Sequence, residues 1–260
     1  MDILEELSAA RRADAVAAER IEPAVVLERR IASLPPPRDF RAAFAGDGLN
    51  VIAELKKASP SEGMIRPDFD PVPLARAYAA QGAAAISVLC EPHRFLGNDA
   101  DLPAIRRAVS VPLLYKDFIT THYQILRARA CGADAVLLIA AVLDDAALRD
   151  LLAFAHTVHL TALVETHMPE EIRRAVDAGA GVVGVNCRDL RTFRTDPGLT
   201  ADLIARIPST VTRIAESGIR TAEDVGRLHA AGADGFLVGT ALMRAPSPGR
   251  KLAELLGKRS

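Results

Sequence analysis

The 260-residue sequence predicts an α/β fold, a (β/α)8 TIM barrel preceded by an N-terminal helical extension. Three observations predict it. First, eight short runs rich in Val, Ile and Leu recur after residue 50, each followed by a polar turn and a helical pattern. Second, the runs are almost continuously apolar, as strands are when both their faces are buried, which implies parallel pairing beneath covering helices. Third, several helices close on the same device, a glycine and a small turn feeding the next strand, in "CGADAV", "AGAGVV" and "AGADGF". Eight such units in about 210 residues match the size of a closed barrel. The competing architecture, a doubly wound open sheet, usually carries a Gly-x-Gly-x-x-Gly fingerprint after its first strand. Here that place holds "KKASPSEG".

In chain order, residues 1–50 stand outside the repeat. Two helical segments, at about 2–19 and 23–33, are separated from the barrel by "LPPPRDF", a stiff proline linker. "DFRAAFAGDGLN" then leads into the first strand, and the extension is expected to pack against the barrel or cover one mouth. The strands read "NVIAEL", "AAISVL", "VPLLYK", "DAVLLIA", "TALVE", "GVVGVN", "TRIAES" and "GFLVG". Helical patterns such as "PVPLARAYAAQGA", "THYQILRARACGA", "DDAALRDLLAFAHTV", "MPEEIRRAVDAGA" and "TAEDVGRLHAAGA" lie between them. The whole chain, 1–260, is read as a single barrel domain that includes this extension.

Composition narrows the function. Half the residues are hydrophobic and a quarter charged, with a formal net charge of −1, so no overall field draws the chain to nucleic acid or to an anionic membrane. Any anionic ligand must be held by local groups. The three cysteines, Cys90, Cys131 and Cys187, are odd in number and widely spaced, which argues for a reducing compartment and against a disulfide framework. The N-terminus lacks the basic-then-apolar layout of a signal peptide, and "AVLLIAAVL" is far shorter than the ~20 residues of a membrane helix. A soluble cytoplasmic protein is expected, acting on a small molecule, as a monomer or weak homo-oligomer without a fused partner domain.

Active sites of such barrels lie at the C-terminal ends of the strands, and this sequence places polar residues there repeatedly. Glu54 and Lys56 end the first strand, Lys116 the third, Glu165 the fifth, Asn186 and Arg188 the sixth, and Glu216 and Ser217 the seventh; Ser87 lies in the second. A lone strand-end Lys or Glu is ordinarily a solvated terminus or a structural ion pair, and Asn186 alone could cap a turn, but six such residues at one end of one barrel form a pattern. Side chains alternate along a strand. Ile52 therefore shares a face with Glu54 and Lys56, Leu114 with Lys116, Leu163 with Glu165, Gly184 with Asn186, and Ile214 with Glu216. These charges are expected to look into the barrel mouth. The glycine turns "ESGIRTAEDV" and "VGTALMRA", after the last two strands, expose backbone N–H groups ahead of a helix N-terminus, the usual phosphate position. Gly218, Gly239 and Thr240 fit it, with Ser59 and Lys56 reaching from the first loop.

Taken together, in order and spacing, "IAELKKASPSEG", "ISVLCEPHRFLG", "LLYKDFI", "LVETH", "GVNCRDL", "IAESGI" and "FLVGTALM" make the chain resemble the indole-3-glycerol phosphate synthase family over essentially its whole length. Another barrel of the same pathway, such as phosphoribosylanthranilate isomerase, is not expected to carry this set. The resemblance implies a carboxy-lyase of tryptophan biosynthesis. Its substrate is 1-(2-carboxyphenylamino)-1-deoxyribulose 5-phosphate, its indole ring closes with loss of carbon dioxide and water, and no cofactor or metal is implied. It maps catalytic positions onto Glu54, Lys56, Lys116, Glu165, Asn186, Glu216 and Ser217. It also implies phosphate contacts from Ser59, Gly218, Gly239 and Thr240, Arg188 near the substrate, and Phe95 and Leu137 walling the aromatic ring. Thr240 stands where the family often has Ser, and Cys187 where Ser is common.

Ring closure builds negative charge on a ketone oxygen, which a cationic donor stabilises. Lys116 is the expected acid, kept protonated by Glu54 and other carboxylates. Lys56 is expected to bind the substrate carboxylate or phosphate, or to assist dehydration as an acid; which lysine acts at which step stays open. Glu165 is expected as base or proton shuttle, Glu54 as orienter of the lysines or second base, and Asn186 and Glu216 as holders of the ribulose hydroxyls. Two other readings are a Schiff-base lyase using Lys116 or Lys56 as nucleophile and a non-catalytic phosphate-sugar-binding barrel. His156, His159, His93, His122, His167 and His229 form no zinc pattern and read as surface or loop residues. The "RR" pairs at 11–12 and 29–30 read as solvated helix faces.

Overall fold

The computed structural model describes residues 3–46, 48–186 and 197–258. Eight strands, β1 (Val51–Leu55), β2 (Ala85–Leu89), β3 (Leu113–Lys116), β4 (Ala135–Ile139), β5 (Thr161–Thr166), β6 (Val182–Asn186), β7 (Thr212–Glu216) and β8 (Gly235–Val238), close into a barrel. Each strand pairs in parallel with its neighbours in sequence, and β8 returns to β1. The barrel helices are α3 (Pro71–Gln81), α4 (Leu102–Ala108), α5 (His122–Ala130), α6 (Asp145–Thr157), α7 (Pro169–Asp177), α8 (Pro197–Ile204), α9 (Ala222–Ala230), α10 (Thr240–Arg244) and α11 (Pro248–Leu255). They follow α1 (Ile3–Ile21) and α2 (Ala24–Ala32) of the extension.

Local chemistry explains the alternation. Asp70 accepts a hydrogen bond from the Val72 N–H to open α3, whose second opening signal is Pro71; Gly82, at φ 89°, closes it. Asp144 caps α6 in the same way, and Thr221 with Asp224 forms a reciprocal capping box on α9. Within the strands, a slip of one residue would exchange the two faces. The observed register instead sends Ile52, Ala85, Leu114, Leu163, Val182, Ile214 and Leu237 into one buried interior cluster. Val51, Ala53, Leu55 and their counterparts pack outward beneath the helices.

The extension does more than cover one mouth. Phe40 and Phe44, with ring centroids 5.2 Å apart, plug the N-terminal end of the barrel. Gly235, the first residue of β8, makes room for this plug, since a Cβ there would collide with the Phe44 ring and the Ile214 side chain. Leu27 of α2 packs against Tyr123, Leu126 and Ala130 of α5. At the opposite end α1 presents Ile3, Leu4 and Leu7 to the barrel mouth.

The first Arg-Arg pair corrects the sequence reading. Arg12 is exposed, but Arg11 is half-buried against the rim, its side chain 11 % exposed, with Nε 2.9 Å and Nη2 2.6 Å from the two carboxylate oxygens of Asp117, which is fully buried. Helical periodicity separates these adjacent arginines by about 100°, so one faces solvent and the other the barrel. Arg11→Ala is expected to destabilise the fold by about 3–5 kcal/mol, because it strands a buried carboxylate. Urea unfolding measures this, and the double variant Arg11→Met, Asp117→Asn is expected to recover most of the loss.

Candidate active site

Two positions beyond the apolar interior ring, on the same face, β1, β3, β5 and β7 place Glu54, Lys116, Glu165 and Glu216. Glu54, Glu165 and Glu216 are 3 %, 4 % and 1 % exposed, so three carboxyls lie in the barrel mouth almost out of water. Lys56 answers Glu54, with Nζ 2.6 Å from Oε2. Lys116 stands between the other two, its Nζ 3.3 Å from Glu165 Oε2 and 3.9 Å from Glu216 Oε2. Two glycines leave the space. A Cβ on Gly184 would overlap the Glu216 carboxyl, and one on Gly239 would overlap Glu54 and crowd the Lys56 ammonium.

Asn186 ties the carboxylate side together. Its Nδ2 donates to Glu165 Oε1 at 3.1 Å, and its Oδ1 accepts from Ser217 Oγ at 2.7 Å, which fixes the orientation of the amide. Ser217 reaches Asn186 from a left-handed backbone, φ 63°, which costs a non-glycine residue of order 1 kcal/mol or more. Strain of that kind is held where the side chain's position matters.

Burial and charge divide the titrating groups into opposites. For Lys116, burial alone favours the neutral amine, but Glu165, Glu216 and Glu54 outweigh it and hold the ammonium above its ordinary range. Burial pushes Glu165 up, yet Lys116, His167 and Asn186 pull it well below the usual carboxylate range. Burial beside the ionised Glu165 pushes Glu216 well above its ordinary value, against the pull of Lys116. The centre therefore biases Glu165 toward the carboxylate, Glu216 toward the neutral acid and Lys116 toward the ammonium, with Lys116 in ion-pair reach of both carboxyls. Neighbouring groups driven apart in this way are what acid–base chemistry requires.

The cavity over these groups is about 570 Å³. Phe95, Phe118, Leu137 and Ile139 line one side, joined by Ile3, Leu4 and Leu7 of α1. The Phe95 and Phe118 rings lie 6.3 Å apart. Glu91, fully buried, holds the loop that carries Phe95 by accepting from the backbone N–H groups of His93, Arg94 and Phe95 at 2.6, 2.7 and 2.8 Å. The other side holds Ser59, Gly218, Gly239 and Thr240. Thr240 Oγ1 is buried with no hydrogen-bond partner among the described residues, a donor available to a ligand. On the helix after β7, Asp224 accepts from the N–H groups of Arg220 and Thr221, and Thr221 accepts from that of Asp224. The positively charged Arg220, Arg244 and Lys251 also line this end.

The structure thus brings together every site residue expected from sequence except Arg188, which lies outside the described residues, as does Cys187. Sequence reasoning missed Arg220, Arg244 and Lys251, and placed His167 at the surface. His167 instead has a side chain only 16 % exposed, set between Glu165 and Glu171. The signal was present: His167 is two residues from Glu165, so it shares that strand's inward face.

Among solved structures, the fold is similar to thiamine phosphate pyrophosphorylase from Pyrococcus furiosus. The TM-score is 0.59 at 18% identity, over 84% of this chain and 96% of that one. A mandelate oxidase with 3,3-difluoro-2-hydroxy-3-phenylpropionic acid aligns with a TM-score of 0.53 at 20% identity, over 70% of this chain and 65% of that one. At such identities the likeness is one of fold alone. Curated relatives are much nearer. The indole-3-glycerol phosphate synthase of Mycobacterium ulcerans (strain Agy99) is 46% identical, over 98% of this chain and 93% of its own length. That of Micrococcus luteus is 47% identical, over 95% and 94%. That of Acidithiobacillus ferrooxidans (strain ATCC 53993 / BNL-5-31) is 46% identical, over 98% of each. The family model described as indole-3-glycerol phosphate synthase matches residues 4–255, and with these relatives it shows that the chain belongs to the indole-3-glycerol phosphate synthase family.

Proposed function

We propose that this pocket converts 1-(2-carboxyphenylamino)-1-deoxyribulose 5-phosphate to indole-3-glycerol phosphate, with Lys116 as the acid of ring closure and Glu165 as the base of the later steps. The supporting observation is the position of Lys116. A buried ammonium held among carboxyls stands between an apolar wall suited to an aromatic ring and a polar end suited to a phosphate.

The substrate phosphate is assigned to Ser59, Gly218, Gly239 and Thr240, with Lys56 supplying charge, and the aryl ring to Phe95 and Leu137. Fixing both ends brings the carboxyl-bearing aryl carbon against the ketone carbon, removing much of the entropic barrier. The new carbon–carbon bond forms as the carbonyl π electrons move to oxygen, and Lys116 protonates that oxygen. Carbon dioxide then departs, and its bonding pair restores the aromatic ring. The hydroxyl leaves as water after taking a proton from an acid of the pocket, Lys56 or Lys116. Glu165 removes the proton from the adjacent carbon to complete the indole. Asn186 and the neutral Glu216 are assigned to the sugar hydroxyls, Ser217 holds Asn186, and Glu54 orients Lys56. The free thiols Cys90 and Cys131 support a cytoplasmic location.

A fluorescence assay for indole-3-glycerol phosphate tests these roles. Lys116→Met is expected to lower kcat by about 10²–10⁴-fold with little change in KM; a near-normal kcat removes Lys116 from the acid role. Ser59→Ala and Thr240→Ala are expected chiefly to raise KM, as loss of uniform binding does. Borohydride trapping is expected to yield no substrate adduct, since a Schiff base requires an unprotonated amine and Lys116 is held charged.

A further inference from the structure

We propose that His167 is a positioning residue: clamped between Glu171 behind it and Glu165 ahead of it, it holds the Glu165 carboxylate in line with Asn186 and Lys116. The inference rests on the reading of Glu165 as the base.

His167 follows β5, and its Nε2 is 3.4 Å from Glu165 Oε1. That same oxygen accepts from Asn186, while Oε2 faces Lys116. Behind the ring, Nδ1 is 3.4 Å from Glu171 Oε2, and this oxygen also accepts the backbone N–H of His167 at 2.6 Å. Glu171 lies in the first turn of α7, where negative charge is favoured. One carboxylate therefore anchors both the backbone and the ring of His167.

Both ring nitrogens are buried, and neither makes an aligned hydrogen bond among the described residues. A histidine serving packing alone is ordinarily satisfied by a backbone partner. Here charge holds the ring in place. Burial favours the neutral imidazole, but Glu165 and Glu171 raise the group to about 10, so it is an imidazolium at neutral pH. The charged and polar groups facing Glu165 come from several elements, Lys116 from β3, Asn186 from β6 and Glu216 from β7, while Glu171 from α7 faces His167. On β4, Ile139 lies in register with Glu165 and brings no charge. The charged residues within 187–196 lie outside the described residues.

The chemistry gives this arrangement a use. When Lys116 passes its proton to the developing oxyanion, Glu165 loses its nearest lysine charge while the neutral Glu216 remains beside it. Two buried carboxyls without a cation would share a proton, and Glu165 would stop being a base. His167 supplies the cation through that interval.

The sign of the pH effect follows. A cation beside a carboxylate lowers its pKa, so removing His167 raises that of Glu165 and moves the acidic limb of the kcat profile to higher pH. His167→Gln is expected to lower kcat at pH 7 about tenfold, leave KM within about twofold, and shift the acidic limb upward by about one unit. Glu171→Gln, which leaves the histidine in place, is expected to shift it the same way by less. Unchanged kcat and an unmoved limb in a folded His167→Gln variant overturn the proposal. So does a kcat loss that is equal at every pH, which assigns His167 to structure alone. If His167→Gln fails to fold, Glu171→Gln decides: a limb moved upward supports the proposal and an unmoved one overturns it. Glu165→Gln separates the two levels. If it is inactive while His167→Gln is silent, only this inference falls; if it is fully active, the base assignment falls and this inference with it.

Discussion

A charge taken out of water costs several kcal/mol unless a partner and hydrogen bonds compensate it, and in and behind the barrel mouth the carboxyl groups of Glu54, Glu165 and Glu216, and of Glu171 on α7, are all buried. Lys56, Lys116 and His167 are the cations set directly against them. Glu216, the most deeply buried of the four, also faces the carboxylate of Glu165, and both burial and that charge push it toward its neutral form. The opposite shifts of Glu165 and Glu216 thus follow from burial and neighbouring charge rather than from a separate feature. Gly184, Gly239 and the left-handed Ser217 serve the same constraint, the first two by leaving room and the third by holding Asn186 on Glu165.

Much of this was legible in one dimension because a strand has a period of two. Once Leu114, Leu163 and Ile214 are taken as interior, Lys116, Glu165 and Glu216 must follow on the same face, and parallel pairing delivers them to a common rim. The eight strands were legible for the same reason, since apolar runs between helices admit few topologies. What alternation cannot convey is which distant element covers a residue. Arg11 and Asp117 are 106 positions apart, and neither carries a local sign that one will neutralise the other. The plug made by Phe40 and Phe44 depends on the space at Gly235, nearly 200 residues away in the chain. Arg220, Arg244 and Lys251 reach the pocket from loops and short helices, where no fixed period says which side chains turn inward.

His167 is an intermediate case. Its face was readable from Glu165, but its charge was not, because that depends on Glu171 reaching back from the next helix. Searching for metal-type histidine clusters passes over a histidine whose partners are carboxylates. The test suited to a barrel is whether a histidine falls on the inward parity of a strand end, and in this chain His167 meets it.

The extension and the reaction centre meet at one strand end. Lys116 and Asp117 are consecutive, and alternation turns the lysine into the pocket while the aspartate binds Arg11 of α1. The helix that brings Ile3, Leu4 and Leu7 to the apolar wall is therefore anchored one residue from the proposed acid. The peptide between two anchored side chains has little freedom, so the docking of α1 and the direction of the Lys116 ammonium are mechanically linked. Glu91 works in the same way for Phe95, gathering three backbone N–H groups so that the ring is presented from a rigid loop. Apolar contacts have no preferred direction, and an aromatic substrate ring between flexible walls would slide. Charged hydrogen bonds do have direction. Anchoring the greasy wall through Arg11–Asp117 and through Glu91 gives non-directional contacts the positional precision that bringing two carbon atoms together demands.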